Sequence, residues 1–364
     1  MARKLKTDPV LFMATLLLVC GGLVMVYSAS APMAFSNNED PSQYLTKQLM
    51  WVALGTALLG LAMRFNYHNY SQPPLVFALL AAASIALFAV LFAPPVKGSS
   101  RWFNLGGLSV QPSEFAKLVV VLYVAMVLER VVGRGGDLRR ALVPLGAVVG
   151  VIVILVLLEP DFGTAIVIAA IAAVMVFAAG LPYRYVIGAV LAFAPVAAVV
   201  GWLAPYRRAR VTAFLDPWAD PLDSGYQIIQ SLIAVGTGGL TGRGLGAGVQ
   251  KMDFLTEAHN DFIYAVVAEE LGLAGAGLIL VCFAVVIWRG LRASARAPDG
   301  FGALLALGLT VMISMQALIN ISVVLGLLPP KGFPLPFVSA GGSSLLMSML
   351  GMGILLNVSQ HEAG

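Results

Sequence analysis

The sequence places acidic and basic side chains at a few points of an otherwise apolar chain, a pattern suited to binding an anionic or metal-bound substrate. Glu257, His259 and Asp261 directly precede a long apolar run. An aspartate there is often only a helix N-cap. The trio also suggests a metal site, but the other two histidines fall on the opposite side of the expected membrane. That distribution argues against zinc and leaves Mg²⁺ or Mn²⁺, held by carboxylates and a ligand phosphate, as an open alternative.

A second polar group follows the segment that begins at Arg101. Glu114 and Lys117 are three residues apart in a predicted helix start, so they share one face near the edge of the bilayer. One interpretation is a structural ion pair. The other is a polar cavity for an anionic headgroup, in which Arg101 supplies a forked phosphate donor and Lys117 a point charge.

Two further connections carry charge. The tight turn at 159–164 contains Asp161, which is either a helix cap or a polar partner inside the same cavity as Lys117. The connection at 327–344 is broken by proline and glycine and is predicted to be a re-entrant loop, because irregular backbone at membrane depth survives only when it is buried or lines a hydrated cavity. Lys331 would add a cation there.

A glycine cluster spans residues 236–246 and includes Arg243. It superficially resembles a dinucleotide-binding loop, but no strand and no βαβ unit surround it. We interpret it as flexible backbone that can approach a ligand closely. Further along, Glu269 and Glu270 lie two turns into an apolar run, so at least one must face the protein interior or water.

The composition identifies the kind of molecule that must position these groups. Of 364 residues, 59% are hydrophobic and 11% charged, against about 25% charged in a soluble domain. This excludes a soluble globular protein, and the absence of a basic block with interleaved aromatics argues against nucleic-acid binding. Apolar windows long enough to span a bilayer run over Val10–Ser30, Tyr44–Met63, Leu75–Ala93, Phe115–Val132, Ala141–Leu158, Gly163–Gly180, Tyr185–Ala204, Phe262–Trp288, Phe301–Leu327 and Gly342–Val358.

The charge distribution orients these windows. The chain begins with Arg3, Lys4 and Lys6, which predicts a cytoplasmic N-terminus, and ten crossings return the C-terminus to the same side. Most carboxylates then fall at the outer face. We therefore expect an all-α polytopic membrane protein of about ten transmembrane helices, forming one domain over 1–364. A long outer loop at about 205–260 separates helices 7 and 8 and includes an amphipathic segment, Tyr226–Val235.

The motifs resemble the SEDS family (shape, elongation, division and sporulation) over nearly the whole chain. They are, in order, RWFNLGG with QPSEFAKL, EPDFGTA, GYQIIQSLIAVGTGGLTGRGLGAGVQK, EAHNDFIYAVVAEELG and LLPPKGFPLPFVSAGGSSL. The GRGLG run and the Lys331-Gly332 pair favour the division branch over the elongation branch. Thr256, Asn260 and Ala340 depart from the usual family residues without removing a titratable group.

The resemblance implies a peptidoglycan glycosyltransferase that polymerises lipid II at the outer face of the bacterial inner membrane, at the division septum. It also implies a class B penicillin-binding transpeptidase and other divisome membrane proteins as partners. Asp261 matches the catalytic aspartate of the family, expected to act as a general base in an inverting reaction. The expected substrate-binding residues are Arg101, Glu114, Lys117, Asp161, Arg243, Glu257 and Lys331; no cofactor is implied beyond the open divalent cation.

Three alternatives remain at this stage. Ten spans with intramembrane charges also fit a lipid II flippase or other transporter, although the charges gather on one face rather than along a path. An elongation-type polymerase would use the same chemistry in a different cellular process. A non-catalytic scaffold for division proteins would tolerate loss of the Asp261 charge.

Overall fold

The computed structural model describes residues 7–36, 40, 42–95, 99–105, 108–133, 136–185, 187–188, 191, 205–252 and 254–361. These residues form a bundle of long helices. In chain order the helices are α1 (Pro9–Ser36), α2 (Ser42–Arg64), α3 (Pro73–Val90), α4 (Pro112–Gly133), α5 (Leu138–Leu158), α6 (Phe162–Ala178), α7 (Pro205–Leu215), α8 (Tyr226–Gly238), α9 (Ile263–Arg296), α10 (Gly300–Val324) and α11 (Gly342–Gln360).

Most of these helices suit a bilayer. Seven of them (α1, α2, α3, α5, α9, α10 and α11) are long and apolar enough to span it by length and composition. The shorter α6 is an apolar helix of 17 residues, and α4 carries charges at both ends. The predicted seventh window, Tyr185–Ala204, lies largely outside the described residues. The polytopic helical class is therefore confirmed, while the total of ten crossings stays a prediction.

Helices α4, α10 and α11 form the centre of the bundle, with most of their residues buried. The most apolar windows of α10 and α11 are 61% and 78% buried, against 28% for α2, α3, α5 and α9. Small residues allow close approach between helices in a membrane. A Cβ atom added at Gly353 of α11 would lie 2.7 Å from the Leu59 carbonyl oxygen of α2. Polar side chains on α10 and α11 are consequently enclosed by protein.

One short element between the helices is not helical. Strands β1 (Phe103–Leu105) and β2 (Leu108–Val110) form a short antiparallel hairpin, in which Phe103 pairs with Val110. The hairpin lies between α3 and α4, and it begins two residues after Arg101. Three-residue strands are too short to show a clear two-residue alternation, so the hydropathy pattern did not reveal them.

The amphipathic segment in the 205–260 region forms a helix as predicted. Its helix, α8, buries Ile228, Ile229, Ser231 and Ala234 and packs against α9 and α10. The Ser231 hydroxyl donates a hydrogen bond to the Val324 carbonyl at the end of α10, at 2.8 Å. This connection is therefore docked on the bundle by α8.

Helix α9 is broken nine residues after its start. Gly272 has φ +64° and ψ −161°, which are not helical angles. The segment at 239–244 pairs with the exposed backbone on both sides of the break. Its four hydrogen bonds are Arg243 N to Glu269 O at 3.0 Å, Gly244 N to Glu270 O at 3.0 Å, Leu273 N to Gly239 O at 2.9 Å and Ala274 N to Leu240 O at 3.1 Å. The broken helix thus keeps these backbone groups hydrogen-bonded.

The glycine cluster packs closely against α9. A Cβ atom at Gly242 would lie 2.1 Å from the Glu270 carbonyl oxygen, and one at Gly238 would lie 1.8 Å from the Ala268 carbonyl oxygen. These glycines therefore let the segment approach the backbone of α9. The predicted close approach is present toward the backbone of α9, and an approach to a ligand stays a prediction.

The connection at 325–341 is irregular, and its second half, from residue 333 to residue 339, is mostly buried, as predicted for a re-entrant loop. The side chains of Phe333, Leu335, Phe337 and Val338 all lie in the core. A Cβ atom at Gly22 of α1 would lie 2.7 Å from the Phe337 carbonyl oxygen, so α1 forms one wall of this loop.

We predict that Gly272→Ala lowers the thermal stability of the purified protein. An added Cβ would meet the Gly242 amide nitrogen at 2.3 Å, and a non-glycine residue in a sparsely populated backbone region costs about 1–3 kcal/mol. Gly277→Ala on the same helix is the matched control, because a Cβ there meets nothing within 4 Å. Equal melting temperatures for the two variants, measured in detergent by fluorescence, would contradict this account of the break.

Candidate functional site

Lys331 and Gly332 join two acidic side chains that are 100 residues apart in the chain. The Lys331 ammonium lies 3.4 Å from the Asp161 carboxylate. At the next residue, a Cβ atom on Gly332 would lie 2.5 Å from Oδ2 of Asp261. The absence of a side chain at Gly332 therefore lets the Asp261 carboxylate pack directly against the Gly332 backbone. Asp161, Lys331 and Asp261 form the centre of the candidate site.

The backbone that carries Asp261 is held at three successive carbonyl groups. The Ala340 amide donates to His259 O at 3.1 Å, and the Ser339 hydroxyl donates to Asn260 O at 2.6 Å. The side-chain amide of Asn320 donates to Asp261 O at 2.8 Å. Three donors from the 325–341 loop and from α10 therefore set the position of Asp261. Phe262, and not Asp261, occupies the N-cap of α9, so the interpretation of Asp261 as the cap is wrong.

Lys117 lies in a second polar group between α4 and α10. Its side chain is 2% exposed, and its ammonium donates to Glu114 Oε1 at 2.8 Å and to Gln316 Oε1 at 2.5 Å. The amide of Gln316 in turn donates to the Pro334 carbonyl at 3.1 Å. The predicted Glu114–Lys117 pair is present, and Gln316 connects it to the loop that carries Lys331.

Arg101 reaches the same end of the bundle from the other side. Its guanidinium donates to the Glu159 carbonyl at 2.8 Å and to the Pro160 carbonyl at 2.7 Å. Asp161 caps α6 through the Thr164 amide, at 3.3 Å, and also pairs with Lys331. The predicted cap at Asp161 is thus present, and its cationic partner is Lys331. A cavity shared by Asp161 and Lys117 stays a prediction.

The surroundings of Glu159 and Asp161 shift the pKa values of these two carboxyl groups in opposite directions. Burial alone would raise the pKa of Asp161, but the charges of Lys331 and Arg101 and two hydrogen bonds from Thr164 outweigh it and hold that pKa below its ordinary value. Burial raises the pKa of Glu159 to about 8, the Asp161 charge adds to this, and Arg101 opposes it. Both Glu159 carboxyl oxygens lack a hydrogen-bond partner among the described residues. Glu159 is therefore mainly protonated at neutral pH, whereas Asp161 is an anion.

Two other predicted site residues have different surroundings. Arg243 pairs with Glu269 at 3.3 Å, and its side chain is 40% exposed. Glu257 has φ +57°, and its carbonyl accepts hydrogen bonds from the amides of Asn260 and Asp261 at 3.0 and 3.1 Å. The Glu257 backbone thus shapes the turn that presents Asp261. Within the described ranges, no group of three or more histidine, cysteine, aspartate or glutamate side chains could hold a metal ion.

Sequence reasoning missed the polar side chains that support the site. Gln316 and Asn320 are four residues apart in the apolar helix α10, so they share one face. Asn320 donates to both Asp261 O and Phe333 O. Amide side chains at helical spacing inside an apolar run were the available signal, because buried polar groups in a membrane segment need partners and often mark a site.

The comparisons with known proteins cover almost the whole chain. A family model for FtsW, RodA and SpoVE, described as cell cycle protein, matches residues 9–364. A Geobacter sp. (strain M18) protein named "Probable peptidoglycan glycosyltransferase FtsW" is 40% identical over 361 residues, which cover 98% of each chain. Stage V sporulation protein E of Bacillus subtilis (strain 168) is 40% identical over 366 residues, which cover 99% of each chain.

Solved structures share the fold. One is a chain from a peptidoglycan synthase complex described as coordinating polymerization and crosslinking, with 32% identity, a TM-score of 0.79 and 98% of each chain covered. Another is the crystal structure of the rod shape determining protein RodA of Thermus thermophilus, with 28% identity, a TM-score of 0.72 and 99% of each chain covered.

We predict that Glu159→Gln reduces the pH dependence of thermal stability. The pKa of Glu159 is about 8 in the folded protein against an ordinary 4.5. The stability gained from its protonated form is therefore fully present below pH 4.5 and is lost as the pH rises through about 8. Glutamine stays neutral, so the variant should lose less stability than the wild type between about pH 5.5 and about pH 8.5. Parallel melting curves across that range would show that Glu159 is ionised in the folded protein.

Proposed function

Because the chain belongs to the FtsW, RodA and SpoVE family of cell cycle proteins, we propose that it polymerises lipid II into β-1,4-linked glycan, with Asp261 as general base. The chain is a peptidoglycan glycosyltransferase, since relatives that carry this name align with 98% of it at about 40% identity. It is also a multi-pass membrane protein. We place its activity at the outer face of the bacterial inner membrane, in septal wall synthesis.

The observation that carries this proposal is the packing at Lys331 and Gly332. A glycosyl transfer from a pyrophosphate donor needs a base for the acceptor hydroxyl and positive charge for the leaving group. The Gly332 backbone admits the Asp261 carboxylate, and the adjacent residue supplies the Lys331 ammonium. One loop therefore brings the base and a cation together at one end of the bundle.

In the proposed reaction, Asp261 accepts the proton of the GlcNAc 4-hydroxyl of one lipid II molecule. The deprotonating oxygen forms a bond to the anomeric carbon of a lipid-linked donor. The bond from that carbon to the α-linked pyrophosphate breaks, and undecaprenyl pyrophosphate leaves with the electron pair. A single displacement inverts the configuration and gives the β-1,4 linkage, so no covalent intermediate is required. General-base assistance of this kind contributes about 10²–10⁴-fold.

The cations act on the leaving group. Pyrophosphate needs charge neutralisation more than a proton, and fixed cations provide it without reorganisation during the reaction. Lys331 is held by Asp161, and Lys117 is held by Glu114 and Gln316. Arg101 is anchored on two carbonyl groups and presents a forked donor. A divalent cation bound with the pyrophosphate remains an alternative source of charge, which the experiment below includes.

The partner proposal rests on the peptidoglycan synthase complex that contains a similar chain. We propose a class B penicillin-binding transpeptidase as the partner of this chain, together with other divisome membrane proteins. Coupling the two activities in one complex would let the transpeptidase crosslink strands as they are made.

We predict that Asp261→Asn abolishes polymerisation, because asparagine keeps the shape of the side chain and cannot accept the hydroxyl proton. The measurement is polymerisation of labelled lipid II by the purified protein, with and without a class B partner, and with and without EDTA. Asp223→Asn removes an exposed carboxylate in the same outer region and serves as the control. Polymer made by Asp261→Asn at the wild-type rate would refute the assignment. Translocation of headgroups that depends on Asp261, without polymer, would favour a flippase.

A second prediction separates headgroup binding by Lys117 from structural pairing. Lys117→Met alone leaves Glu114 as an unpaired buried charge, which costs about 3–5 kcal/mol. The double variant Lys117→Met with Glu114→Gln removes both charges and should fold with a melting temperature close to that of the wild type. We expect this double variant to raise KM for lipid II and to lower kcat/KM by about tenfold or more, since a charge-assisted contact is worth about 1.5–3 kcal/mol. Normal kinetics in the double variant would mean that the pair is only structural.

A further inference from the structure

Two buried glutamates on α9 lie outside the reaction proposed above. Glu269 and Glu270 are fully buried, about two turns along α9 from Asp261. Glu269 accepts hydrogen bonds from the amides of Val249 and Gln250 at 2.8 and 3.1 Å. Glu270 accepts one from the Gly246 amide at 2.9 Å. Both carboxylates therefore hold the segment that follows the glycine cluster against α9.

The strongest contact in this region is an enclosed ion pair. The Lys251 ammonium, 2% exposed, lies 2.6 Å from Glu270 Oε1 and 2.8 Å from the Ser28 hydroxyl of α1. The Ser28 hydroxyl also donates to Glu270 Oε2 at 2.7 Å. Ser28, Lys251 and Glu270, here named the Lys251 cluster, therefore join α1, α9 and the outer segment at one point.

Two residues of the Lys251 cluster lie on either side of Asp261 in the chain. The Lys251–Glu270 contact closes a ring of backbone, and Asp261 lies ten residues after Lys251 and nine before Glu270. One half of the ring is the start of α9, which is a rigid helix. The other half has no helix or strand among its described residues. The ion pair consequently limits how far that irregular half, and Asp261 at its end, can move.

Helix α1 contacts both this ring and the connection at 325–341. Ser28 of α1 belongs to the Lys251 cluster, whereas a Cβ atom added at Gly22 of the same helix would lie 2.7 Å from the Cα atom of Val338. The neighbouring Ser339 holds the Asn260 carbonyl. Two sites on one helix therefore support both segments that bracket Asp261.

We propose that the Lys251 cluster is a positioning device that fixes the depth of Asp261 relative to the acceptor hydroxyl. The inference rests on the proposed function, in which Asp261 is the base. A displacement of about 1 Å at a reacting group can cost about 10²-fold in rate. The cations that hold the headgroup, Arg101, Lys117 and Lys331, lie on other elements. Loss of the cluster therefore lowers kcat and leaves KM for lipid II nearly unchanged.

The test uses three variants of the full-length chain in complex with its class B partner. Lys251→Met and Glu270→Gln each leave one buried charge without its partner, so both lower kcat and also destabilise the fold. The double variant Lys251→Met with Glu270→Gln removes both charges and regains most of the thermal stability. Its kcat stays at least about tenfold below the wild type, because the ring is still open.

The matched control is the ion pair that joins the start of α1 to α9, at the opposite end of the bundle. Arg289 of α9 lies 2.5 Å from Asp8, which immediately precedes α1. Asp8→Asn weakens the contact of α1 with α9 at a point remote from Asp261. It is expected to lower thermal stability and to leave kcat unchanged. If activity instead depended on any contact between α1 and α9, Asp8→Asn would lower kcat as well.

Hydrogen exchange provides a readout that does not depend on activity. Amides at 246–250 should exchange faster in the double variant than in the wild type and in Asp8→Asn. Recovery of kcat together with stability in the double variant, or unchanged exchange at these amides, would overturn the proposal. A wild-type protein that makes no polymer while the exchange difference persists would refute the proposed function and leave the positioning contact standing.

Discussion

Buried charges must be paired, and this constraint organises the end of the bundle that carries the site. An unpaired ion in a low-dielectric interior is so costly that each buried cation is held by a carboxylate. Lys117 forms an ion pair with Glu114, Lys251 with Glu270, and Lys331 with Asp161. Two of these pairs join segments that are distant in the chain. The requirement for pairing thus also ties the loops to the helices.

The same constraint explains why the site is built from loops that behave as rigid elements. The three carbonyl groups at 259–261 each receive a donor from outside their own segment. Irregular backbone at membrane depth must satisfy its polar groups within the protein, so these loops gain fixed positions from the bonds they need. The proposed role of Asp261 as general base requires such fixed positions, because the reach of a base to the proton it accepts tolerates little displacement.

Glycines contribute by permitting close contact. Gly332 admits a carboxylate and Gly242 admits a helix carbonyl, and the break at Gly272 is filled by the backbone of the glycine cluster. The helix break and the glycine cluster therefore depend on each other, because each satisfies backbone hydrogen bonds of the other. Their joint effect is to bring Glu269 and Glu270 to the segment that leads to Asp261.

The sequence by itself determined the class of molecule and the identity of the central residues. Hydropathy and low charge required a helical membrane protein, and ordered motifs predicted the family and singled out Asp261. Only the tertiary structure decided the pairings: Lys331 with Asp161, Gln316 with Lys117 and Arg243 with Glu269. Periodicity reports which face of a segment is apolar, because that is a local property. It carries no information on which polar groups meet across 20 to 200 residues of chain, since those contacts depend on how the helices pack.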